Sequence, residues 1–109
     1  MAGYVVISVD GARTLLADQA VTILDLRDHR SYRAGHIDGA MLLHDGLMKR
    51  LIKENELDKP ILIYCYRGNT SLEKAELFSE LGFRHVYSLE GGYVDWQKRA
   101  AGGSADSAP

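Results

Sequence analysis

The chain of 109 residues contains a single cysteine, Cys65, set between an apolar run and a polar turn in the stretch ILIYCYRGNTS (Ile61 to Ser71). A thiol placed there is either a small core residue closing a strand or a nucleophile offered by a loop. The residues after it bear on the second role. Six residues, CYRGNT, join the apolar run to the start of a helical pattern. Gly68 lets the backbone turn tightly enough for successive N–H groups to converge on one point. A helix start adds unpaired N–H donors and the positive end of a dipole. Arg67 adds a full positive charge. Such a cradle lowers a thiol pKa and promotes the reactive thiolate, although Glu73, in the first helical turn, competes for the same field. Against this, free cysteines are among the most buried residue types, and a C-x-x-G pattern alone does not separate the two roles.

The elements that must position this loop can be read along the chain. YVVI (Tyr4 to Ile7) reads as a strand, and Ser8 caps a helix on which Ala12, Leu15, Leu16 and Gln19 recur at helical spacing. VTILDL (Val21 to Leu26) is a second strand. RDHRSYRAG follows as a loop with one helical turn closed by Gly35. AMLL (Ala40 to Leu43) reads as a third strand, and Leu47, Met48, Leu51 and Ile52 share one face of a helix running to about Glu56. Pro60 opens ILIY, the most apolar strand. Thr70 to Gly82 is a helix with Thr70 and Glu73 as a capping box, Ala75, Phe78 and Leu81 facing inward, and Gly82 as its stop. HVYSL (His85 to Leu89) is a fifth strand. Gly91 and Gly92 break the chain before a last helix carrying Tyr93 and Trp96.

Strands alternating with helices, and strands apolar on both faces, imply an α/β fold: a central parallel sheet of about five strands with helices on each side. Ligands of such sheets bind beyond the carboxyl ends of the strands, which is where Cys65 follows Tyr64.

Composition sets outer bounds. Residues 1–100 are expected to form one domain, and 101–109 (AGGSADSAP lies there) to be a small, polar, disordered tail. A hydrophobic fraction of 46% and a charged fraction of 26% are ordinary for a soluble protein. A net charge of -2 supplies no electrostatic reason for nucleic acid or an anionic membrane as partner. No apolar stretch approaches the length of a membrane span. One cysteine forms no intramolecular disulfide, so a reducing, cytoplasmic setting is expected. His29, His44 and His85 have no metal-site spacing, and no metal is expected.

Three separated motifs resemble those of the rhodanese family, specifically its small single-domain sulfurtransferases. DLRDHRSYRAGHIDGA (Asp25 to Ala40) is similar to the family's Asp-x-Arg segment followed by Gly-His-Ile-x-Gly-Ala. YCYRGNTS resembles its strand, cysteine and six-residue active loop. LEGGYVDW (Leu89 to Trp96) is similar to its Gly-Gly-aromatic-x-x-Trp signature. Their order and spacing agree as well.

The resemblance implies that Cys65 attacks the outer sulfur of thiosulfate, releases sulfite and becomes a persulfide. Cyanide or a thiol acceptor, which could be a sulfur-carrier protein, then removes that sulfur. The loop from Tyr66 through Arg67, Gly68 and Asn69 to Thr70 would hold the anionic sulfur, without any cofactor. Asp25, Arg27 and Ser71 are supporting residues on this reading. Asp25 and Arg27 either orient the loop or simply pair with each other, and Arg67 either draws in the dianion or is a solvated charge. Related phosphatases and arsenate reductases carry an arginine six positions after the cysteine. That position is Ser71 here, so the bidentate phosphate clamp is missing. His36, in GHIDG, is expected to make a structural hydrogen bond, and Tyr93 and Trp96 to be core.

Two departures stand out. Lys74 lies where the family commonly has a small residue, and MLLHDG replaces the family's polar residue and proline after Gly-Ala. The expected activity is thiosulfate sulfurtransferase. The alternative is a relay module that accepts persulfide sulfur from a partner protein, and a scaffold without chemistry is disfavoured by the intact cysteine and loop. Mercaptopyruvate is the less favoured donor.

Overall fold

Short strands that are apolar at nearly every position build a sheet buried on both faces. The computed structural model describes the backbone of residues 3–107 and the side chains of residues 3–99. The expectation of a disordered tail over 101–109 falls on residues whose side chains lie outside that description.

The strands are β1 (Tyr4–Ile7), β2 (Thr22–Asp25), β3 (Met41–Leu42), β4 (Ile61–Tyr64) and β5 (Val86–Leu89). They pair in parallel in the order β1-β5-β4-β2-β3, so β4 is the central strand. The helices are α1 (Val9–Asp18), α2 (His29–Ala34), α3 (Asp45–Glu54), α4 (Thr70–Glu80) and α5 (Gly92–Ser107). A five-stranded parallel sheet covered by helices on both faces is the architecture expected from the sequence.

All four residues of β4 are buried, and their alternation divides the core in two. Ile61 and Ile63 turn to one face, where Leu47 and Leu51 of α3 and Ala75 and Phe78 of α4 close over them. Leu62 and Tyr64 turn to the other, against Val9 and Ala12 of α1, with Tyr93 and Trp96 of α5 packed at its margin. Each fully buried apolar side chain contributes about 1.5–3 kcal/mol. Together they hold the carboxyl end of β4 at the centre of the sheet edge.

Ser8 caps α1 as expected, accepting from the Gly11 N–H at 3.0 Å. Elsewhere the boundaries are tighter than the sequence suggests. β3 pairs only with β2, and both end where the ladder between them ends. α3 stops at Glu54 because Asn55 adopts a left-handed conformation (φ 55°) and returns its N–H to the Leu51 carbonyl. Ile52 and Leu81, expected to face inward, are 45% and 40% exposed. The buried stripe of α3 runs through Leu47 and Leu51, and Ile52 stands one residue, about 100°, around the helix from it. Leu81 lies past the last residue of α4, where the chain has begun to turn away.

Candidate active site

Cys65 is the first residue after β4, and α4 begins at Thr70. Between them the backbone folds over the sulfur. The Gly68 and Ser71 N–H groups donate to Cys65 Sγ at 3.2 and 3.3 Å. The Cys65 thiol lies 3.5 Å from Ser71 Oγ. Gly68 permits this turn: its φ is +95°, and a Cβ there would sit 3.0 Å from the Gly91 nitrogen and 3.2 Å from the Leu89 carbonyl oxygen. Cys65 is only 3% exposed, so it forms the floor of the loop rather than a tip presented to solvent. Tyr66, Arg67, Asn69 and Thr70 are exposed around it, and Arg67 makes no ion pair among the described residues.

The expected capping box of Thr70 and Glu73 is absent. Thr70 is already helical, and Asn69 before it has helical angles (φ -88°, ψ -51°) with no side-chain cap. The helix begins one residue earlier than a box on Thr70 requires, and the sulfur meets its first turn. The Ser71 N–H, one of the donors left unpaired in a first helical turn, goes to Cys65 Sγ. The helix end that a capping side chain would occupy is directed at the thiol.

These contacts set the acidity of Cys65. Burial pushes the thiol up, but the Ser71 hydroxyl and the amides of Ser71, Gly68 and Arg67 outweigh it, leaving the pKa below the ordinary thiol value of 9.0. The arrangement can therefore hold a thiolate, and donate N–H groups to an anion beside it.

Buried polar groups brace the loop from beneath. Arg27 forms a fork on Asp25, with Nη2 at 2.8 Å from Oδ2 and Nε at 3.1 Å from Oδ1, and Nη2 also donates to the Gly35 carbonyl at 2.6 Å. Tyr64, the residue before Cys65, donates its hydroxyl to Asp25 Oδ2 at 2.5 Å and accepts the Ile37 N–H at 3.2 Å. Burial and the bond to Asp25 both raise the Tyr64 hydroxyl pKa, which keeps it a donor. The Arg27 guanidinium also stacks 4.1 Å from the Tyr93 ring centroid. Asp25 and Arg27 thus pair with each other and also reach the strand end that carries Cys65. Behind the loop, the Tyr93 and Val94 N–H groups donate to the Cys65 and Tyr66 carbonyls at 2.9 and 3.0 Å. Ser71 Oγ lies 2.8 Å from Ser88 Oγ, and both side chains are fully buried.

At the surface, the Tyr66 hydroxyl donates to Asp28, whose other oxygen caps α2 by accepting the Ser31 N–H at 2.8 Å. The hydroxyl of Tyr66, then the amide of Ser31, hold the Asp28 carboxyl down to about 2. His36 Nδ1 bonds the Tyr32 carbonyl at 2.7 Å and its ring stacks on Tyr32, the structural role expected for it. Tyr93 and Trp96 are partly buried against the core, and Tyr93 contacts Arg27 besides. Lys74 is half-buried and lines a pocket of about 250 Å³ beside the loop, with Thr70, His44, Asp45, Leu26, Leu43 and Met48.

Sequence reading passes over Tyr64, Ser88, Gly92 and Asp28. Tyr64 and Ser88 do leave a trace, as polar groups ending or interrupting otherwise apolar strands that must find buried partners. Gly92 stands out only as a helix-breaking glycine of the Gly-Gly signature, and Asp28 only as an N-cap.

A family model described as a Rhodanese-like domain matches residues 8–99. The chain is 41% identical over 84% of its length to a protein of Pseudoalteromonas translucida named thiosulfate sulfurtransferase GlpE, covering 87% of that protein. It is 35% identical over 93% of its length to the protein of the same name from Shewanella oneidensis, covering all of it (100%). Among solved structures, a rhodanese-related protein from Thermoplasma volcanium superposes with a TM-score of 0.72 at 27% identity, over 88% of this chain and 93% of that one.

Proposed function

The chain belongs to the family of rhodanese-like domains, and we propose that it is a thiosulfate sulfurtransferase working through a persulfide on Cys65. The single observation that carries this reading is the convergence of the Gly68 and Ser71 N–H groups on Cys65 Sγ at 3.2 and 3.3 Å. A thiolate so held attacks the outer sulfur of thiosulfate along the axis of the S–S bond. That bond breaks, its electron pair leaves with sulfite, and Cys65 carries a persulfide anion. Cyanide then attacks the terminal sulfur, leaves as thiocyanate and returns the thiolate. A thiol acceptor does the same and leaves as a persulfide. Both steps balance in atoms and charge with no metal or organic cofactor.

The terminal sulfur of the persulfide is an anion one bond further out than Cys65 Sγ. On this reading it is held by the amides of the loop from Tyr66 to Thr70, the logic of an oxyanion hole. Arg67, exposed on the same loop, draws the dianionic donor toward it. Ser71 stands where a phosphatase loop would need its arginine, which supports sulfur chemistry over phosphate chemistry. The Asp25–Arg27 pair acts through Tyr64, holding the strand end under the nucleophile. A cytoplasmic, reducing location belongs to the same proposal, because a free reactive thiol is kept from adventitious oxidation there. Among the described residues, no helix is long and apolar enough to cross a membrane.

Intact mass spectrometry after incubation with thiosulfate tests the proposal. One added sulfur on the wild type, removed by cyanide and absent from a folded Cys65→Ser variant, is the expected result. A wild type that gains no sulfur from thiosulfate would overturn the donor. If it instead gained sulfur from a persulfidated protein, the relay alternative would take its place.

A further inference from the structure

The pair of buried hydroxyls behind Cys65 has no place in the sulfur-transfer steps themselves. Ser88 lies on β5 beside Ile63 of β4, on the face covered by α4. It is 1% exposed, Ser71 is 0% exposed, and their oxygens are 2.8 Å apart. Ser71 Oγ is in turn 3.5 Å from Cys65 Sγ. The three groups form a closed chain, sulfur to Ser71 to Ser88. No other hydrogen bond of either hydroxyl is found among the described residues.

Hydrogen counting decides what this chain prefers. It has two links, and each link takes one hydrogen. With Cys65 as a thiol there are three hydrogens, one on sulfur and one on each hydroxyl, so one is left without an acceptor. A buried donor without a partner is costly. With Cys65 as a thiolate there are two hydrogens for two links. Ser88 then donates to Ser71, and Ser71 donates to the sulfur. Each hydroxyl polarises the next in a chain of this kind.

We propose that Ser88 is a positioning residue for the nucleophile: by donating to Ser71 Oγ it directs the Ser71 hydroxyl onto the sulfur and stabilises the thiolate. The proposal deepens the sulfur-transfer reading, since it concerns the same sulfur, but it makes a claim about thiol acidity that holds whatever the sulfur donor is. Ser88 itself touches neither sulfur nor substrate. Charged and titratable groups on the elements around Cys65 include Asp25 at the end of β2 and Arg27 just after it, Tyr64 at the end of β4, Tyr66 and Arg67 in the loop, Glu73, Lys74, Glu76 and Glu80 on α4, Tyr87 on β5 and Glu90 after it, and Tyr93 and Asp95 on α5. None of them is altered by changing Ser88, so a variant there isolates the hydroxyl.

The test is the pH dependence of Cys65 alkylation by iodoacetamide in the wild type, Ser88→Ala, Ser71→Ala and the double variant, each verified as folded by circular dichroism. Below the midpoint, Ser88→Ala is expected to alkylate roughly threefold to tenfold more slowly, the worth of about one neutral hydrogen bond, with its plateau at high pH retained. Because Ser88 acts only through Ser71, the double variant is expected to match Ser71→Ala alone. Ser88→Thr keeps the hydroxyl and is expected to restore the wild-type midpoint. It also serves if the alanine variant does not fold, since thiolate absorbance can then be titrated on Ser88→Thr and Ser71→Ala. An unchanged midpoint in folded Ser88→Ala overturns the proposal, as does a double variant whose shift is the sum of the two single ones, or a Ser88→Thr whose midpoint equals that of Ser71→Ala. Persulfide formation from thiosulfate is measured separately. Its absence would refute the donor and leave the alkylation result to stand.

Discussion

Gly92 leaves no room for a side chain against the carbonyl of Cys65. A Cβ there would lie 2.6 Å from that oxygen, and equally close to the Tyr66 carbonyl group. The next residue, Tyr93, donates its N–H to the same Cys65 oxygen at 2.9 Å. The start of α5 is therefore a clamp on the back of the active loop, and the clamp needs a residue without a Cβ at a positive φ of 60°.

Gly92→Ala must displace either the loop or the helix. We expect it to destabilise the protein by about 2 kcal/mol or more, from backbone strain and the enforced contact. Turnover should fall by about a hundredfold, since a displacement near 1 Å at a reacting atom has that effect. Thermal unfolding together with thiocyanate release checks both, and wild-type values for each would remove the clamp from the account.

The buried fork of Arg27 on Asp25 predicts an order of costs. Asp25→Ala leaves Arg27 without its counter-charge and the Tyr64 hydroxyl without its acceptor, which should cost about 3–5 kcal/mol. Tyr64→Phe keeps the ion pair and strands only the Ile37 N–H, for about 1–3 kcal/mol. Urea unfolding of both variants measures the difference. A Tyr64→Phe protein as unstable as Asp25→Ala would contradict the assignment.

Arg67 is exposed on the loop and unpaired among the described residues. If it draws in the dianion, Arg67→Ala should raise the KM for thiosulfate roughly fivefold, the scale of one exposed charge interaction. The dependence of that KM on salt should weaken at the same time. Steady-state kinetics at two ionic strengths decide the matter, and an unchanged KM would assign Arg67 to solvent.

The lowered Cys65 pKa fixes a sign for the pH profile. The thiolate is present above the depressed value, so persulfide formation should rise with pH along a limb whose midpoint lies below the ordinary thiol value. Ser71→Ala should move that limb to higher pH. Linkage runs the same way: this contribution to stability is complete above the unfolded thiol pKa and is lost as pH falls through the folded one. Stopped-flow measurement of sulfite release from pH 5 to 10 gives the limb, and a limb at the unperturbed thiol value would show that the amides do not act on the sulfur.

Much of the site was legible from local pattern. Gly68, the polar turn after ILIY and the helical spacing after Thr70 required a tight loop leading into a helix, because backbone geometry and hydrophobic period act over a few residues. The unbroken apolar run of β4 likewise required burial on two faces. The place of Cys65 at the carboxyl end of a strand followed from the order of elements.

What the chain alone left open concerns contacts between segments distant in sequence. Whether Thr70 caps a helix depends on where that helix begins, and in the fold α4 already includes Thr70, with the Ser71 N–H turned to the Cys65 sulfur. Whether Asp25 and Arg27 merely pair depends on Tyr64, which crosses from β4 to reach the carboxylate. Ser88 is an ordinary strand residue until the β4–β5 register sets it beside Ser71. Gly92 is a helix-starting glycine until α5 closes on the loop. Residue type and spacing determined that this protein carries a thiol in an anion-binding turn. Only tertiary packing, by burying polar groups where each must find a partner, decided which distant side chains hold that thiol in place.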